Sequence, residues 1–231
     1  MAAGWTFDEL AHAGPEHLDP AYVAGYDRKS GDDPVDDVAV LRSLGLAPTG
    51  TVVDLGAGTG RFTRAVALHC ARVVAVDVSA PMLAALAEAA PSNAAASIEL
   101  VRAGFLTYQH EGPPADAVYS RNALHHLPDF WKAVALERVA AIVRPGGVLR
   151  LRDLIYDFQP VEADAAIEEW IAGATTDPAL GWTSDELAEH VRTEHSTFRW
   201  LLEPMLDRAG FDMVDVSFRR RVYGSYTCIR L

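Results

Sequence analysis

Two adjacent histidines, a run of alternate glycines and two strand-ending aspartates carry the chemistry-bearing pattern of this chain. His125 and His126 stand in Asn122-Ala123-Leu124-His125-His126, directly after the apolar run Ala115 to Ser120. Histidine titrates near neutrality, so it can take a proton from a hydroxyl, an amine or an acidic carbon, or hold a polar ligand. His126 is the first choice for that work and His125 the second; the alternative is that they only cap the helix beginning near Pro128. Upstream, Val52-Val53-Asp54-Leu55-Gly56-Ala57-Gly58-Thr59-Gly60 ends an apolar run in an acid and then sets three glycines at alternate positions. Arg61 to Val66 reads as a helix. Strand, tight glycine turn and helix start form the geometry that receives a nucleotide-like cofactor in a doubly wound sheet. Glycine serves there because it takes positive φ cheaply and lets backbone approach a ligand. The next apolar run, Arg72 to Asp77, ends in an acid placed to accept hydrogen bonds from two ribose hydroxyls.

The spacing selects among cofactors. A dinucleotide fingerprint wants Gly-x-Gly-x-x-Gly, but here the third glycine comes one residue early, and the Gly-Lys-Ser/Thr end of a phosphate loop is absent. Asp54-x-Gly56-x-Gly58-x-Gly60 instead resembles the first motif of the class I S-adenosylmethionine-dependent methyltransferases. Asp77-Val78-Ser79-Ala80-Pro81-Met82-Leu83 is similar to their second. The resemblance implies S-adenosyl-L-methionine as cofactor. Asp54, Gly56, Ala57, Gly58 and Gly60 would serve its amino acid moiety, Asp77 its ribose, and Val78 and Met82 its adenine. Core packing is the other reading of Met82. Leu100-Val101-Arg102-Ala103-Gly104-Phe105 occupies the stretch where many relatives have Gly-Asp-hydrophobe, whose acid accepts from the adenine amino group. Gly104 has no such side chain, which leaves Gly104 and Phe105 to offer backbone groups and a short apolar wall. One charge-assisted hydrogen bond is worth roughly 1.5–3 kcal/mol, so binding is expected to be weaker but not abolished.

Ser120-Arg121-Asn122-Ala123-Leu124-His125-His126 looks like the subgroup of small-molecule methyltransferases with a Leu-His-His or Leu-His signature, and the resemblance puts Arg121 and Asn122 beside the cofactor. Phosphoethanolamine methyltransferases share the Ser-Arg-polar start and a histidine matching His126. In those enzymes it pairs with a tyrosine from the N-terminal helix. Tyr26, or else Tyr22, sits in the matching region.

The elements that position these groups alternate. Strands are expected at about 51–55, 72–77, 97–101, 115–120 and 147–153 with helices between them, which gives a parallel sheet covered on both faces. The fold expected is α/β, a doubly wound, seven-stranded, mostly parallel Rossmann-like methyltransferase sheet. An antiparallel hairpin, Met213–Phe218 and Val222–Ile229, closes it. One domain over residues 1–231 divides into an N-terminal helical cap (1–50), a cofactor-binding core (51–154), a helical insertion (155–196), and a last helix with terminal strands (197–231). The aromatics of the insertion, Tyr156, Trp170 and Trp182, suit a lid, a packing cap or a dimer surface. The last helix reads as Leu201 to Ala209, with Pro204 acceptable in its first turn.

Composition narrows the partners. Of 231 residues 50% are hydrophobic and 23% charged, with a formal net charge of −12. That acidity argues against nucleic acid, whose affinity rests on phosphate neutralisation. Arg219-Arg220-Arg221 reads as an exposed strand end. Two cysteines, Cys70 and Cys228, make neither a disulfide framework nor a metal cluster. His190 and His195 lack the i, i+4 spacing of a helical metal pair, and no metal is expected. Without a signal-like start or a run of about 18 apolar residues, the expected protein is cytoplasmic and off the membrane, a monomer or homodimer. The leading function is methylation of O, N or C on a small molecule. The alternatives are a non-catalytic S-adenosylmethionine-binding protein, or the same fold running another reaction, such as decarboxylation or cyclisation. A protein- or RNA-modifying enzyme is less favoured, because the Asn-Pro-Pro-Tyr signature is absent after the fourth strand.

Overall fold

The computed structural model describes residues 4–30, 33–90 and 95–231. A 3-10 turn, Pro15–Leu18, leads into helices α1 (Pro20–Ser30) and α2 (Val35–Ser43). The core follows as β1 (Thr51–Leu55), α3 (Arg61–Val66), β2 (Arg72–Asp77), α4 (Ala80–Ala89), β3 (Ser97–Arg102), β4 (Ala115–Arg121), α5 (Asp129–Ile142) and β5 (Val143–Tyr156). The insertion contributes α6 (Ala163–Ala172) and α7 (Ser184–Thr193). A two-residue β6 (Thr197–Phe198), α8 (Arg199–Arg208), β7 (Phe211–Arg219) and β8 (Tyr223–Arg230) complete the chain.

The main sheet runs β3-β2-β1-β4-β5-β8-β7, and β6 pairs separately with β5. The first five strands are parallel, while β8 is antiparallel to both β5 and β7. Side chains alternate across the sheet as the pleat requires. Val53, Leu55, Val74, Val76, Val118, Leu149 and Leu151 pack with Leu136 and Val139 of α5 and Leu202 and Leu206 of α8. Val52, Val73, Ala117 and Val148 pack instead with Val38 and Leu41 of α2 and Phe62 and Val66 of α3. Chain order reverses between β1 and β4, whose ends meet at Leu55 and Ser120. That switch point opens a crevice at the carboxyl ends of the strands, the place where such sheets bind ligands.

The insertion forms its own small core. Trp170 and Leu187 pack with Leu154, Phe158 and Val222. The arginine triplet takes part in fastening it. Arg220 and Arg221 turn the β7–β8 connection with φ of 55° and 59°. Arg220 Nη2 donates to the Trp170 carbonyl (3.1 Å), and Arg221 pairs with Glu162 (2.8 Å). The triplet is the exposed strand end expected, and two of its arginines also anchor the insertion.

Three local expectations need correction. The link from β3 to β4 holds turns, not a regular helix; Gly104, Gly112 and the Pro113-Pro114 pair break helix there. β5 reaches from Val143 to Tyr156, past both ends of the expected strand, because β4 pairs with it from Val143, β8 as far as Leu154 and β6 at Ile155 and Tyr156. Pro204 stands inside α8 and not in its first turn. It is on an exposed face, where the Trp200 carbonyl that loses its helical partner can turn to water.

Candidate active site

The glycine turn after β1 is built for close approach. Gly56, Gly58 and Gly60 have φ of 75°, 54° and 80°. A Cβ on Gly56 would lie 2.3 Å from Ala123 Cβ, and one on Gly60 would lie 2.2 Å from Leu86 Cγ. The first glycine therefore lets the loops after β1 and β4 meet; the third lets α4 pack against the start of α3. Gly56 and Gly58 line a cleft together with Asp77, Val78, Ser79, Met82, Gly104, Phe105, Arg121, Asn122, Tyr26 and His126. Asp54, Ala57 and Gly60 do not line it.

Asp77 closes the floor of the cleft. Its Oδ2 accepts from Gly58 N and its Oδ1 from Ser79 N, both at 2.8 Å. Asp54 lies beneath, 2% exposed, and accepts from Thr63 Oγ1 at 2.6 Å. Burial lifts its carboxyl from an ordinary 3.8 to about 7. The folded chain then holds a proton that the unfolded chain has lost, so stability should fall as pH rises from about 4 to about 7. Asp54→Asn removes that dependence. Its melting temperature should gain on the parent's between about pH 5 and pH 8; a constant difference across that range would refute a protonated Asp54.

The N-terminal segment covers the cleft at three points. Asp27 of α1 receives hydrogen bonds from Thr59 Oγ1 and from Arg64 Nη2 (3.1 Å), and Arg61 Nη1 donates to its carbonyl (2.9 Å). Ser79 Oγ donates to the His17 carbonyl at 2.7 Å. Glu9 reaches over Gly104, where a Cβ would stand 2.3 Å from Glu9 Oε1. Leu106 N donates to Glu9 Oε2 at 3.0 Å. Burial holds the Glu9 carboxyl above the usual range despite that bond.

A second cavity of about 570 Å³ adjoins the cleft. The N-terminal segment, the loop after β4, α6 and α7 wall it, so the insertion is a wall of this space. His17, Tyr26, Asn122 and His126 line both spaces. The His17 ring packs edge-on against His126 (5.9 Å) and Tyr26 (5.7 Å), which puts a histidine among the groups expected to pair directly. Burial, helped by His125, lowers the pKa of His126. His125 lines only the second cavity. Its Nδ1 lies 2.5 Å from Asp153 Oδ1 and its Nε2 3.0 Å from Glu194 Oε2. Although burial opposes the charge, Asp153 and then Glu194 raise its pKa to about 10. Lys29 of α1 pairs with Glu186 of α7 and sits over the Tyr22 and Trp182 rings, tying cap to insertion. His190 and His195 do not form a pair: His190 meets Glu194 one turn on, while the His195 backbone N–H donates to the His125 carbonyl (2.9 Å).

Comparison with known proteins fits this geometry. A methyltransferase-domain family profile matches residues 52–147. The trans-aconitate 2-methyltransferase of an Azoarcus species is 31% identical over 182 residues, 74% of this chain and 68% of that protein. The chain belongs to the class I S-adenosylmethionine-dependent methyltransferases. An uncharacterised methyltransferase of Geobacillus kaustophilus is 28% identical over 190 residues, 82% of this chain and 81% of its own. In fold, this methyltransferase is similar to the crystal structure of the magnesium protoporphyrin IX methyltransferase from Synechocystis with bound cofactor. The TM-score is 0.66 at 16% identity, covering 99% of this chain and 100% of that one. The enzyme's cofactor is S-adenosylmethionine. No helix among its described residues is long and apolar enough to cross a membrane.

Sequence reading of the enzyme missed Glu9, His17, Asp153 and Glu194. Glu9 lies 97 residues before its partner Leu106, beyond any local spacing rule. Its one signal was the acid missing at Gly104. Glu194 has a local signal in the sequence, since His190 and Glu194 are one helical turn apart, whereas His190 and His195 are not.

Proposed function

We propose that S-adenosylmethionine lies over Gly56 and Gly58, with its ribose on Asp77, and that His126 takes the proton of a small acceptor seated in the second cavity. The observation that carries this reading is the wall common to the two spaces: His17, Tyr26, Asn122 and His126 border both. Methyl transfer is an in-line displacement at a sulfonium carbon. The acceptor's lone pair forms the new bond, the carbon–sulfur bond breaks, and sulfur leaves as a neutral thioether. The positive charge already activates the leaving group, so the protein chiefly aligns the partners and excludes water. His126 suits the remaining task, because burial keeps its imidazole neutral near pH 7 and able to accept a proton. Buried Cys70 and Cys228, both free thiols, support a reducing, cytoplasmic setting. Incubation with the cofactor and a panel of small hydroxyl, amine and carboxylate compounds tests the reading; one product in which a methyl group has replaced a hydrogen supports it. Tight cofactor binding with no methylated product across the panel would favour a binding protein.

On the same reading, Glu9 supplies the acceptor for the adenine amino group that Gly104 lacks. Glu9→Ala should weaken S-adenosylhomocysteine about tenfold, the value of one charge-assisted bond. The deaminated analogue, which carries oxygen in place of that amine, should bind parent and variant alike. An equal loss for both ligands would reduce Glu9 to a packing role.

A further inference from the structure

Six of the eight histidines in the chain, His12, His17, His125, His126, His190 and His195, line the acceptor cavity. We propose that this cavity holds a divalent transition-metal cation, bound by His125 Nε2, His190 Nδ1 and the Glu194 carboxylate. Donor atoms of these three residues all lie within 4.8 Å of one another. His125 Nε2 is 3.0 Å from Glu194 Oε2, and His190 Nδ1 is 3.6 Å from Glu194 Oε1. Metal–ligand bonds of about 2.0–2.2 Å place neighbouring ligand atoms about 3–3.5 Å apart, close to these separations.

The far side of each imidazole is already fixed. His125 Nδ1 lies 2.5 Å from Asp153 Oδ1, and that carboxylate also accepts from Leu124 N (2.8 Å) and Leu154 N (2.7 Å). His190 Nε2 lies 2.7 Å from Ser196 Oγ. Partners of this kind orient metal-bound histidines and set which nitrogen faces the ion. Glu194 supplies a separate sign. Its Oε2 is buried and has no aligned donor, although His125 Nε2 and His126 Nδ1 lie 3.0 and 2.9 Å away. A buried carboxylate oxygen left without a donor is costly. A cation between the carboxylate and the rings satisfies it, taking the place of the proton on His125 Nε2, which is released on binding.

The donor set fixes the class of ion. Two imidazoles and one carboxylate suit Zn²⁺, Co²⁺, Ni²⁺ or Fe²⁺, whereas Mg²⁺ and Ca²⁺ prefer all-oxygen surroundings. Three protein ligands leave coordination positions open. All three residues line the cavity, where an oxygen or nitrogen of the methyl acceptor would complete the sphere. That last step rests on the methyl-transfer reading; cation binding itself does not.

Tag-free protein, stripped with chelator and dialysed, is titrated with Zn²⁺ and Co²⁺ by calorimetry, with the visible spectrum recorded for cobalt. One equivalent should bind and survive desalting. His190→Ala and Glu194→Gln should each lower affinity at least about tenfold, and Ser196→Ala about tenfold, as outer partners of metal sites do. S-adenosylhomocysteine affinity should hold in all three variants, which shows that fold and cofactor cleft persist. Ser196→Ala removes only a hydroxyl and keeps the comparison open if His190→Ala does not fold. Absence of binding to the parent protein, or equal affinity in parent and variants, overturns the proposal. Cation binding without any methylated product retains the metal site and overturns the methyl-transfer reading; methylation without cation binding does the reverse.

Discussion

Asp77→Ala is expected to weaken S-adenosylmethionine binding by at least about tenfold, since one lost charge-assisted bond of about 1.5–3 kcal/mol already exceeds the 1.4 kcal/mol that a factor of ten requires. The carboxylate is pre-set for two bonds. Gly58 N and Ser79 N each hold one of its oxygens at 2.8 Å, which fixes its plane and leaves further lone pairs for the two ribose hydroxyls. Burial also raises its pKa, so acidification should cost affinity earlier than at a surface aspartate. Because the same substitution frees two backbone donors in the cofactor loop, calorimetric affinity must be read beside the melting temperature. Asp77→Asn, of the same shape but uncharged, separates the terms: it should keep most of the stability and still lose affinity. Unchanged affinity in Asp77→Ala would remove the ribose assignment, and preferential binding of NAD would replace the cofactor.

What could be read from sequence follows from the range over which each determinant acts. The glycine turn, the strand-ending Asp77 and the cap of α4 are local. Ser79 accepts from Met82 N (3.2 Å) and Pro81 stands in the first turn, so a few residues specify that helix start. The runs of β1, β2, β4 and β5 are equally plain, because both of their faces are buried; β3, at the sheet edge, is largely exposed. The acids that complete the site are not local. Glu9 comes from a segment outside the sheet, Asp153 from β5, and Glu194 from the residue capping α7; only the folded chain brings them to the ends of β3 and β4. Asp54 shows the converse: a local motif position whose side chain the fold turns beneath the loop. Its place in the motif suggested a cofactor contact, yet it bonds Thr63 beneath the loop and supports the turn from below.

His126→Ala is expected to lower turnover by about 10²–10⁴-fold if His126 removes the acceptor's proton. Cofactor affinity should barely change, since the glycine turn and Asp77 remain. The neighbouring histidine provides the contrast. His125 faces Asp153, a carboxylate 3% exposed, so His125→Ala leaves a buried charge without its partner. Breaking such a pair costs about 3–5 kcal/mol, and that variant should lose stability first. His126 has no such buried aspartate depending on it; its Nδ1 lies 2.9 Å from Glu194, whose other neighbours remain. Melting temperature, cofactor affinity and turnover measured on one preparation of each variant therefore distinguish chemistry from packing. A large fall in turnover at unchanged stability in His126→Ala identifies the base. Retained turnover per folded molecule would mean that the acceptor needs no base, and that alignment of nucleophile, carbon and sulfur supplies the rate, as a cationic leaving group permits.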